Sequence, residues 1–369
     1  MASLKLMNNE MAVSPIVATL VLIVVAVIGA VAVGTIMGTF SSDVSKQASA
    51  SQAASASQTE IIVAGSTTLL AAEQNLQNDF QKANPGYQIN VQGGGSSAGV
   101  QSVAMGIADI GASSSASTIT TSQTTNSANP DYVNLYYTMI GGRGVVFIQN
   151  SDKAAVPTNM VLPADVKGAY EAIPATDGKT TGSGNITAAT VMVQREAGSG
   201  TMSTAFGWAG MTSSEKSNGA TNAITQPSNA GVLSAVQTTA HSFGFVDSGY
   251  AFVGNTQSTT VANNIVICNV TDANGVYTPT HANIKAALKD WVQGKAASAE
   301  TNYPQSLTGG LYWITKGTTP TTSVNGIIQT PGVSAASSTV TALIEFAKSP
   351  SEASAYNNAG MYSLYDFLP

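Results

Sequence analysis

Charged side chains are scarce in this sequence. Only 9% of its 369 residues are Asp, Glu, Lys or Arg, against about 25% in an average soluble domain. The net charge is −6 and no run of basic residues occurs, which excludes a protein that binds nucleic acid by displacing its counterions. Charge-driven disorder is not expected either, because 43% of the residues are hydrophobic.

Cysteine, histidine and arginine are nearly absent. Cys268 is the single cysteine, so no internal disulfide can form, and we expect it to be a small buried side chain. His241 and His281 are the only histidines, and with one thiol they are too few for a zinc site of the usual ligand count. Arginine occurs only as Arg143 and Arg195. The sequence therefore predicts no metal or other cofactor.

A long uncharged segment lies near the N-terminus. Residues 11–40 contain no charged side chain, and the apolar part exceeds the roughly 20 residues needed to cross a bilayer. This length favours a retained transmembrane helix over a cleaved signal, whose apolar region is shorter. Residues 1–10 then form a leader, and the Ser- and Ala-rich residues 41–58 a solvated linker. The pattern predicts a single-pass cell-membrane protein. Its flanking charges do not decide the orientation, and the soluble part is expected on the extracellular side because the rest of the chain resembles an exported protein.

The same segment resembles the N-terminus of archaeal type IV pilins, in which residues like Glu10 and Ala12–Ile16 precede a long apolar helix. The resemblance implies an archaeal source, trimming by a prepilin peptidase ahead of the apolar run, and self-assembly through the helix. An ordinary membrane anchor is the alternative.

The rest of the chain alternates strand and helix patterns. Glu60–Ala64 and Tyr87–Gln92 are typical of strands, and apolar residues recur at helical spacing between Leu69 and Ala83. Further strands are predicted at Gly144–Ile148, Thr190–Gln194, Gly244–Val246 and Leu311–Ile314, and closing helices at Ala342–Lys348 and Ser351–Asn358. Two polar segments, Ser113–Pro130 and Thr212–Asn229, are predicted to be rich in loops. The alternation predicts an α/β fold with a largely parallel sheet.

Three segments share a pattern in which a strand is followed by a turn of Gly, Ser and Thr and then by a helix. They are Gly65–Thr68, Gly95–Gly99 and Gly198–Thr201. The first amides of a helix are unpaired, its dipole favours negative charge, and Gly lets an anion approach the backbone. One such turn is equally well a simple helix cap. Three in one α/β chain, whose strand ends can meet, favour an oxyanion site.

Two charged residues accompany these turns. Arg195 lies four residues before Ser199, and a guanidinium can bind two oxygens of an oxyanion at once; a surface ion pair with Glu196 is the alternative. Asp109 would have to accept a proton, which phosphate carries and sulfate lacks; a turn or helix cap is its alternative role. Arg143 has no turn beside it and is predicted to be structural or solvent-exposed.

At these residues the sequence resembles the phosphate-binding proteins of ABC phosphate importers, in the type II periplasmic-binding-protein superfamily. The resemblance runs from about Glu60 to the C-terminus. Five segments carry it: Val63–Thr68, Gln92–Val100, Ala108–Ser113, Arg195–Thr201 and Leu311–Gly317. It implies a two-lobed fold with hinge strands, in which residues 59–139 and 303–369 form lobe 1 and residues 140–302 form lobe 2. It also implies capture of inorganic phosphate for a membrane permease, without catalysis.

The resemblance further implies a role for each of eight residues. Thr67 donates a hydrogen bond to phosphate from its hydroxyl, and Thr68 donates one from its backbone N–H. Ser96 donates from both its hydroxyl and its N–H. Asp109 accepts the phosphate proton and Arg195 makes the charged contact. The helix-start donors are Ser199, Gly200 and Thr201. The chain departs from the family at Ala197, where members often carry an acidic residue or Pro, and this leaves the support of Arg195 undefined.

Three alternatives remain at this point. The chain could be a pilin-like filament subunit with a phosphate-binding-type head, or it could bind another oxyanion. Gly95–Gly99 also fits the G-x-S-x-G pattern of a hydrolase, with Asp247 or His281 as imagined partners of Ser97. The shortage of histidine and the frequency of such patterns in a Gly- and Ser-rich chain argue against the enzyme.

Overall fold

The structure, a computed structural model, describes residues 59–175, 177–296, 302–317, 322–324, 327–329 and 338–368. The predicted leader, transmembrane or pilin-like helix, and linker, which together span residues 1–58, lie outside the described residues. Among the helices that are described, none combines the length and apolar character needed to cross a membrane.

The strands of the described residues follow the sequence in this order: β1 Thr59–Gly65, β2 Tyr87–Gly93, β3 Ile110–Ser113, β4 Leu135–Asn150, β5 Met160–Val161, β6 Val191–Arg195, β7 Ile224–Gln226, β8 Ser242–Asp247, β9 Ile265–Ile267, β10 Asn269–Asp272, β11 Gly275–Tyr277, β12 Thr308–Lys316, β13 Thr322–Val324, β14 Ile327–Gln329 and β15 Tyr362–Ser363.

The α-helices are α1 Leu70–Ala83, α2 Ser96–Ala104, α3 Ala116–Thr125, α4 Pro130–Val133, α5 Pro163–Glu171, α6 Gly200–Trp208, α7 Ser213–Asn218, α8 Asn229–Thr238, α9 Ser248–Ala251, α10 His281–Val292, α11 Ser338–Ala347, α12 Ala353–Asn358 and α13 Leu364–Phe367. Short 3-10 turns cover Gln305–Leu307 and Pro350–Glu352.

One mixed sheet organises the fold, with the strand order β2-β1-β3-β12-β4-β8-β6-β7. The pairs of β1 with β2 and β3 are parallel, and so are the pairs of β6 with β7 and β8. Between these halves, β12 and β4 pair antiparallel with each other and with their neighbours. The prediction of a largely parallel sheet was therefore right for each half and wrong at the centre.

Strand β4 connects the two halves. Its first part pairs with β12 through Gly144, and its second part pairs with β8 from Val145 to Gln149. The result is the predicted α/β architecture of two lobes, built on a mixed sheet, with a continuous strand between the lobes. The residue boundaries expected for the lobes (59–139 and 303–369, against 140–302) stay a prediction.

Glycines in the middle of β4 let other elements pack directly on it. A Cβ at Gly142 would lie 2.7 Å from the Phe367 ring, and one at Gly144 would lie 2.4 Å from Cγ2 of Ile284. These distances are shorter than any carbon contact that packing tolerates. The Gly-Gly-Arg-Gly sequence therefore allows α10 and α13 to cover the strand where it passes between the halves.

The two segments predicted as loops contain regular structure. In α3 only Ile119 is buried, so the helix has no apolar stripe from which a helical period could be read. Helix α7 begins with a capping box, in which Thr212 N–H donates to Glu215 Oε2 at 2.9 Å and Glu215 N–H to Thr212 Oγ1 at 3.3 Å. The T-x-x-E sequence of Thr212 and Glu215 is a helix-start signal, so the prediction of a loop-rich segment is wrong here. Cys268 is buried and free, as predicted.

Glu73 is a buried acid in the first turn of α1. Its Oε1 accepts a hydrogen bond of 2.7 Å from Trp313 Nε1. Burial raises the pKa of the Glu73 carboxyl to about 8, against the opposing effect of that hydrogen bond. The folded protein therefore keeps a proton on Glu73 at pH values where the unfolded chain has already released it.

This raised pKa predicts a pH-dependent stability. Between about pH 4.5 and 8 the free energy of unfolding should fall by about 1.4 kcal/mol per pH unit from this group, because the native state binds the extra proton. Glu73→Gln should remove that slope and stabilise the protein at pH 8. Urea unfolding at several pH values measures it, with Glu345→Gln, an exposed acid, as the control. An unchanged slope in Glu73→Gln would contradict the assignment.

Candidate functional site

The three Gly-, Ser- and Thr-rich turns lie at the carboxyl ends of β1, β2 and β6, and direct contacts join them. Arg195 Nη2 donates to Thr67 Oγ1 at 2.8 Å, and Ser97 N–H donates to the carbonyl of Gly198 at 3.3 Å. The turns therefore meet where the two halves of the sheet face each other, as the sequence pattern suggested.

Arg195 is 1% exposed although it is charged. Its Nε and Nη2 donate to the two carboxylate oxygens of Glu196, both at 2.8 Å. Nη1 reaches Thr201 Oγ1 at 3.3 Å. The alternative expectation was a surface ion pair with Glu196; the pair is present, but the arginine is buried and also contacts the turns. Glu196 therefore holds the guanidinium of Arg195 in place, a role that an acidic residue at position 197 would have had. The departure from the family at Ala197 does not leave Arg195 without a carboxylate partner.

Asp247 is the acceptor at the centre of this region, at the end of β8. Its Oδ2 accepts from Thr201 Oγ1 at 2.5 Å, from Thr68 Oγ1 at 2.7 Å and from Asn229 Nδ2 at 2.8 Å. Its Oδ1 accepts from Arg143 Nη1 at 3.0 Å, and both side chains of that ion pair are 1% exposed. We refer to Thr67, Thr68, Arg143, Arg195, Thr201, Asn229 and Asp247 as the inter-lobe cluster.

Arg143 is buried. Of its two predicted roles, the structural one is confirmed and the solvent-exposed one is wrong. Its Nε donates to the Ser114 carbonyl at 2.7 Å, and Nη2 donates to the Gly200 carbonyl at 3.1 Å and to Thr204 Oγ1 at 2.7 Å. Arg143 thus ties the end of β3 to the start of α6.

Backbone donors at the start of α6 complete the arrangement. Ser199 caps the helix by accepting from Met202 N–H at 3.3 Å. The amides of Gly200 and Thr201 have no acceptor within the described part of the chain, as expected for the first turn of a helix. A Cβ at Gly200 would lie 2.4 Å from Ser114 Oγ, so only glycine allows this close approach. Ser114 in turn bonds to Ser96 Oγ through its N–H at 3.1 Å.

Tyr250 adds a contact from α9 across to the first turn. Its hydroxyl donates to the Thr67 carbonyl at 3.1 Å. Burial raises the pKa of Tyr250, and the nearby Asp247 carboxylate raises it further against the opposing effect of Arg195. The hydroxyl therefore stays protonated and remains a donor.

Asp109 does not belong to this group, which corrects the role predicted for it. It is exposed, it precedes β3, and its Oδ2 accepts from Ile62 N–H at 2.8 Å. The converging turns follow the carboxyl ends of the strands, whereas Asp109 lies at the amino end of β3. Its alternative role, a turn or helix cap, is not what the structure shows either, because the carboxylate accepts from a backbone amide of the neighbouring strand β1. The other seven predicted residues are Thr67, Thr68, Ser96, Arg195, Ser199, Gly200 and Thr201, and they lie in or beside the converging turns.

The hydrolase alternative fails at its geometry. Ser97 Oγ contacts the carbonyl of Gly198 at 3.3 Å. His241 Nε2 bonds to Thr187 and His281 Nδ1 bonds to Tyr362. Asp247, the other imagined partner, is paired with Arg143. Within the described residues, no three His, Cys, Asp or Glu side chains are grouped to hold a metal ion.

Neither a protein-family model nor a curated protein matches the sequence, but solved structures share the fold. One is described as a phosphate ABC transporter substrate-binding protein with bound phosphate from Clostridium perfringens; it has a TM-score of 0.55 and 16% identity over 82% of this chain and 99% of that one. An ABC-type phosphate transport receptor from Vibrio cholerae has a TM-score of 0.54 and 20% identity over 82% and 99%.

A third structure, a high affinity periplasmic phosphate-binding protein bound with phosphate at pH 8.5, has a TM-score of 0.52 and 16% identity over 82% of this chain and 90% of that one. At such identities the similarity establishes the fold. These comparisons give no support to the pilin-like N-terminus. The described part of the chain has the two-lobed fold of the periplasmic binding proteins.

Proposed function

We propose that this protein binds inorganic phosphate between its two lobes, as the substrate-binding component of an ABC-type uptake system. The observation that carries the proposal is the meeting of Arg195, Thr67 and the free amides of Gly200 and Thr201 at one place between the sheet halves. The similar structures described above bind phosphate, which supports the same ligand here. Ser96, Thr68 and Ser199 complete the proposed set.

The charges of the inter-lobe cluster and Glu196 cancel, because each arginine is paired with one carboxylate. The charge of a bound anion would therefore be balanced by the helix dipole and by directed N–H donors rather than by net positive charge. Phosphate and sulfate would receive this electrostatic contribution almost equally. Selectivity for phosphate over sulfate must therefore come from the hydrogen-bond protons of the site and of the ligand.

The hydroxyl protons of the cluster provide that selectivity. Thr68 and Thr201 both direct their single protons to Asp247 Oδ2. Each oxygen also accepts one hydrogen bond, Thr68 from Asn229 Nδ2 and Thr201 from Arg195 Nη1, so toward a ligand each presents one remaining lone pair. Thr67 Oγ1 accepts from Arg195, and its proton is free to be donated. Monohydrogen phosphate can both give and take hydrogen bonds at such a site, whereas sulfate can only accept them. Asp247 thus takes over indirectly the proton-accepting role predicted for Asp109.

Titration calorimetry of the protein with phosphate and then with sulfate tests the proposal. We expect saturable phosphate binding at micromolar concentration or below and much weaker sulfate binding, because sulfate has no proton to donate to the remaining lone pair of Thr68 or of Thr201. Absence of phosphate binding in a folded protein would refute the function.

A matched pair of substitutions tests the source of selectivity. Asp109→Asn should leave the phosphate Kd and the phosphate-to-sulfate ratio within about twofold of the original, since its carboxylate bonds only to the backbone. Thr201→Val should weaken phosphate binding by about tenfold and reduce the ratio, because it removes an acceptor of the ligand proton. If the phosphate-to-sulfate ratio fell in Asp109→Asn but not in Thr201→Val, Asp109 would again be the acceptor of the phosphate proton.

Delivery to a membrane permease and an extracellular location are part of this proposal by analogy with transport receptors of the same fold. Membrane anchoring and self-assembly into filaments depend on residues 1–58, which lie outside the described residues. They remain predictions of the sequence.

A further inference from the structure

A crevice of about 300 Å³ lies between the two halves of the sheet, beside two of the converging turns. Its floor includes Ser97 of the second turn and Gly198 and Ser199 of the third. Helix α3 forms one wall, and helices α6 and α7 form the other. Lining residues of both walls, among them Ser117 and Ser217, are exposed. The crevice, which we call the outer crevice, therefore opens to solvent next to the proposed phosphate site.

Long contacts between the two halves close the floor of the outer crevice. The N–H and the hydroxyl of Ser97 both donate to the Gly198 carbonyl at 3.3 Å. Ser117 Oγ lies 3.3 Å from Ser203 Oγ. These distances are beyond the usual range of protein hydrogen bonds, so a small movement of the halves apart would break the contacts. The outer crevice would then lead directly to Ser199 and the free amides of α6.

Lys216 is the one charged side chain among the described residues that line the outer crevice. It forms no ion pair or hydrogen bond with any other described residue. A Cβ at Gly207 would lie 3.8 Å from Lys216 Cδ, so the stem of the lysine lies along α6. The preceding Glu215 is held by the capping box with Thr212, and adjacent residues of a helix do not face each other. The ammonium group is therefore left without a counter-charge at the crevice.

A second crevice between the halves, of about 490 Å³, has the opposite charge. Ser117 lines both crevices. The second one reaches Arg143, whose charge is balanced by Asp247. It is also lined by Asp272, whose carboxylate accepts from Asn274 N–H at 2.8 Å and pairs with no cation in the described ranges. An anion that approaches the second crevice therefore meets a negative charge, whereas the outer crevice presents a positive one.

We propose that the outer crevice is the entrance to the phosphate site, where Lys216 attracts the anion before the halves close over it. This inference rests on the function proposed above. The inner site offers no net positive charge, because each arginine is paired with a carboxylate, and the whole chain carries −6. An unpaired cation at the entrance raises the local concentration of the anion and its association rate. It contributes little to holding the ligand once the ligand has moved inward.

Binding kinetics of phosphate test the entrance, with the dissociation rate constant taken from phosphorus NMR exchange and the association rate constant from that value and the calorimetric Kd. Lys216→Gln should lower the association rate constant about fivefold at about 0.01 M salt and by less than about 1.5-fold near 1 M salt, where charges are screened. The dissociation rate constant should change by less than about 1.5-fold. Lys216→Arg keeps the charge and should retain the association rate constant within about twofold. Lys289→Gln makes the same change in net charge at an exposed lysine of α10 and should leave both constants unchanged.

Two results would overturn the entrance while leaving the proposed function intact. One is an equal association rate constant in Lys216→Gln and Lys289→Gln at low salt. The other is a rise in Asp272→Asn that exceeds the fall in Lys216→Gln, since the anion would then pass through the second crevice. Absence of phosphate binding to the unmodified protein would instead overturn the function and the entrance together. Thermal unfolding confirms that each variant is folded.

Discussion

Arg195→Ala is expected to weaken phosphate binding by about 30- to 4,000-fold. Truncating one partner of a buried charged contact typically costs about 2–5 kcal/mol. Here the loss has two parts. The ligand loses the guanidinium charge and the remaining N–H on Nη1, since the other four N–H groups donate to Glu196, Thr67 and Thr201. The Glu196 carboxylate, whose side chain is 22% exposed, loses its partner beside an incoming anion. Titration calorimetry with phosphate measures the change.

Three further variants separate these parts. Arg195→Lys keeps the charge but loses the planar fork, so it should recover only part of the affinity. Glu196→Gln should weaken binding far less than Arg195→Ala, because it removes positioning of the arginine but also a repelling charge. Lys167→Ala, at an exposed pair with Glu171, should change nothing. If the phosphate Kd of Arg195→Ala stayed within threefold of the original value, this arginine would not belong to the site.

The sequence could predict those features that depend on local pattern. The strand, turn and helix sequence at Gly198–Thr201 fixes both the unpaired amides and the nearby hydroxyls, because helix starts follow directly from composition. At Gly65–Thr68 the pattern places the hydroxyls, but the Thr68 N–H donates to Ser66 Oγ at 3.3 Å. Parallel strands place their carboxyl ends at one edge, so the meeting of the turns also followed from the fold class. Seven of the eight predicted site residues lie in or beside these turns, and their contact with a ligand stays a prediction.

The errors concern contacts between residues that are distant in the chain. Asp109 bonds to Ile62, 47 residues away, because β3 begins only after it, at Ile110. Asp109 therefore lies at the amino edge of the parallel pair with β1. Arg143 and Asp247 are 104 residues apart, and nothing near either one indicates the other. Asn229, at the start of α8, is similarly part of the cluster only through the packing of α8 beside β8. Sequence spacing carries no information about such pairs.

The contacts across the two sheet halves also explain how a chain with so few charged residues can position donors from both halves at one place. Arg143 bonds to Ser114 at the end of β3 and to Gly200 at the start of α6. Asp247 bonds to Thr68 after β1 and to Thr201 in α6. One arginine and one aspartate thus position donors from both halves around the same place. In a chain with only two arginines, one is used for this positioning and the other for the proposed ligand.

Asp247→Asn is expected to lower the free energy of unfolding by about 3–5 kcal/mol, the usual cost of breaking a buried ion pair from one side. Arg143 would remain buried without a counter-charge. The amide Nδ2 would also face the donors Thr68, Thr201 and Asn229, which now share one carboxylate oxygen. Urea unfolding followed by tryptophan fluorescence measures the loss. The same substitution at Asp79, in an exposed pair with Lys82, should cost under about 1 kcal/mol.

Phosphate should partly reverse this loss. With Asp247 neutral, the cluster and Glu196 together carry one net positive charge, which favours an anion electrostatically. A ligand that binds only the folded state then stabilises it according to its concentration relative to Kd. We therefore expect added phosphate to recover more stability in Asp247→Asn than in Arg195→Ala. A loss below about 1 kcal/mol, equal to that of the exposed pair, would show that the Arg143–Asp247 pair does not hold the halves together.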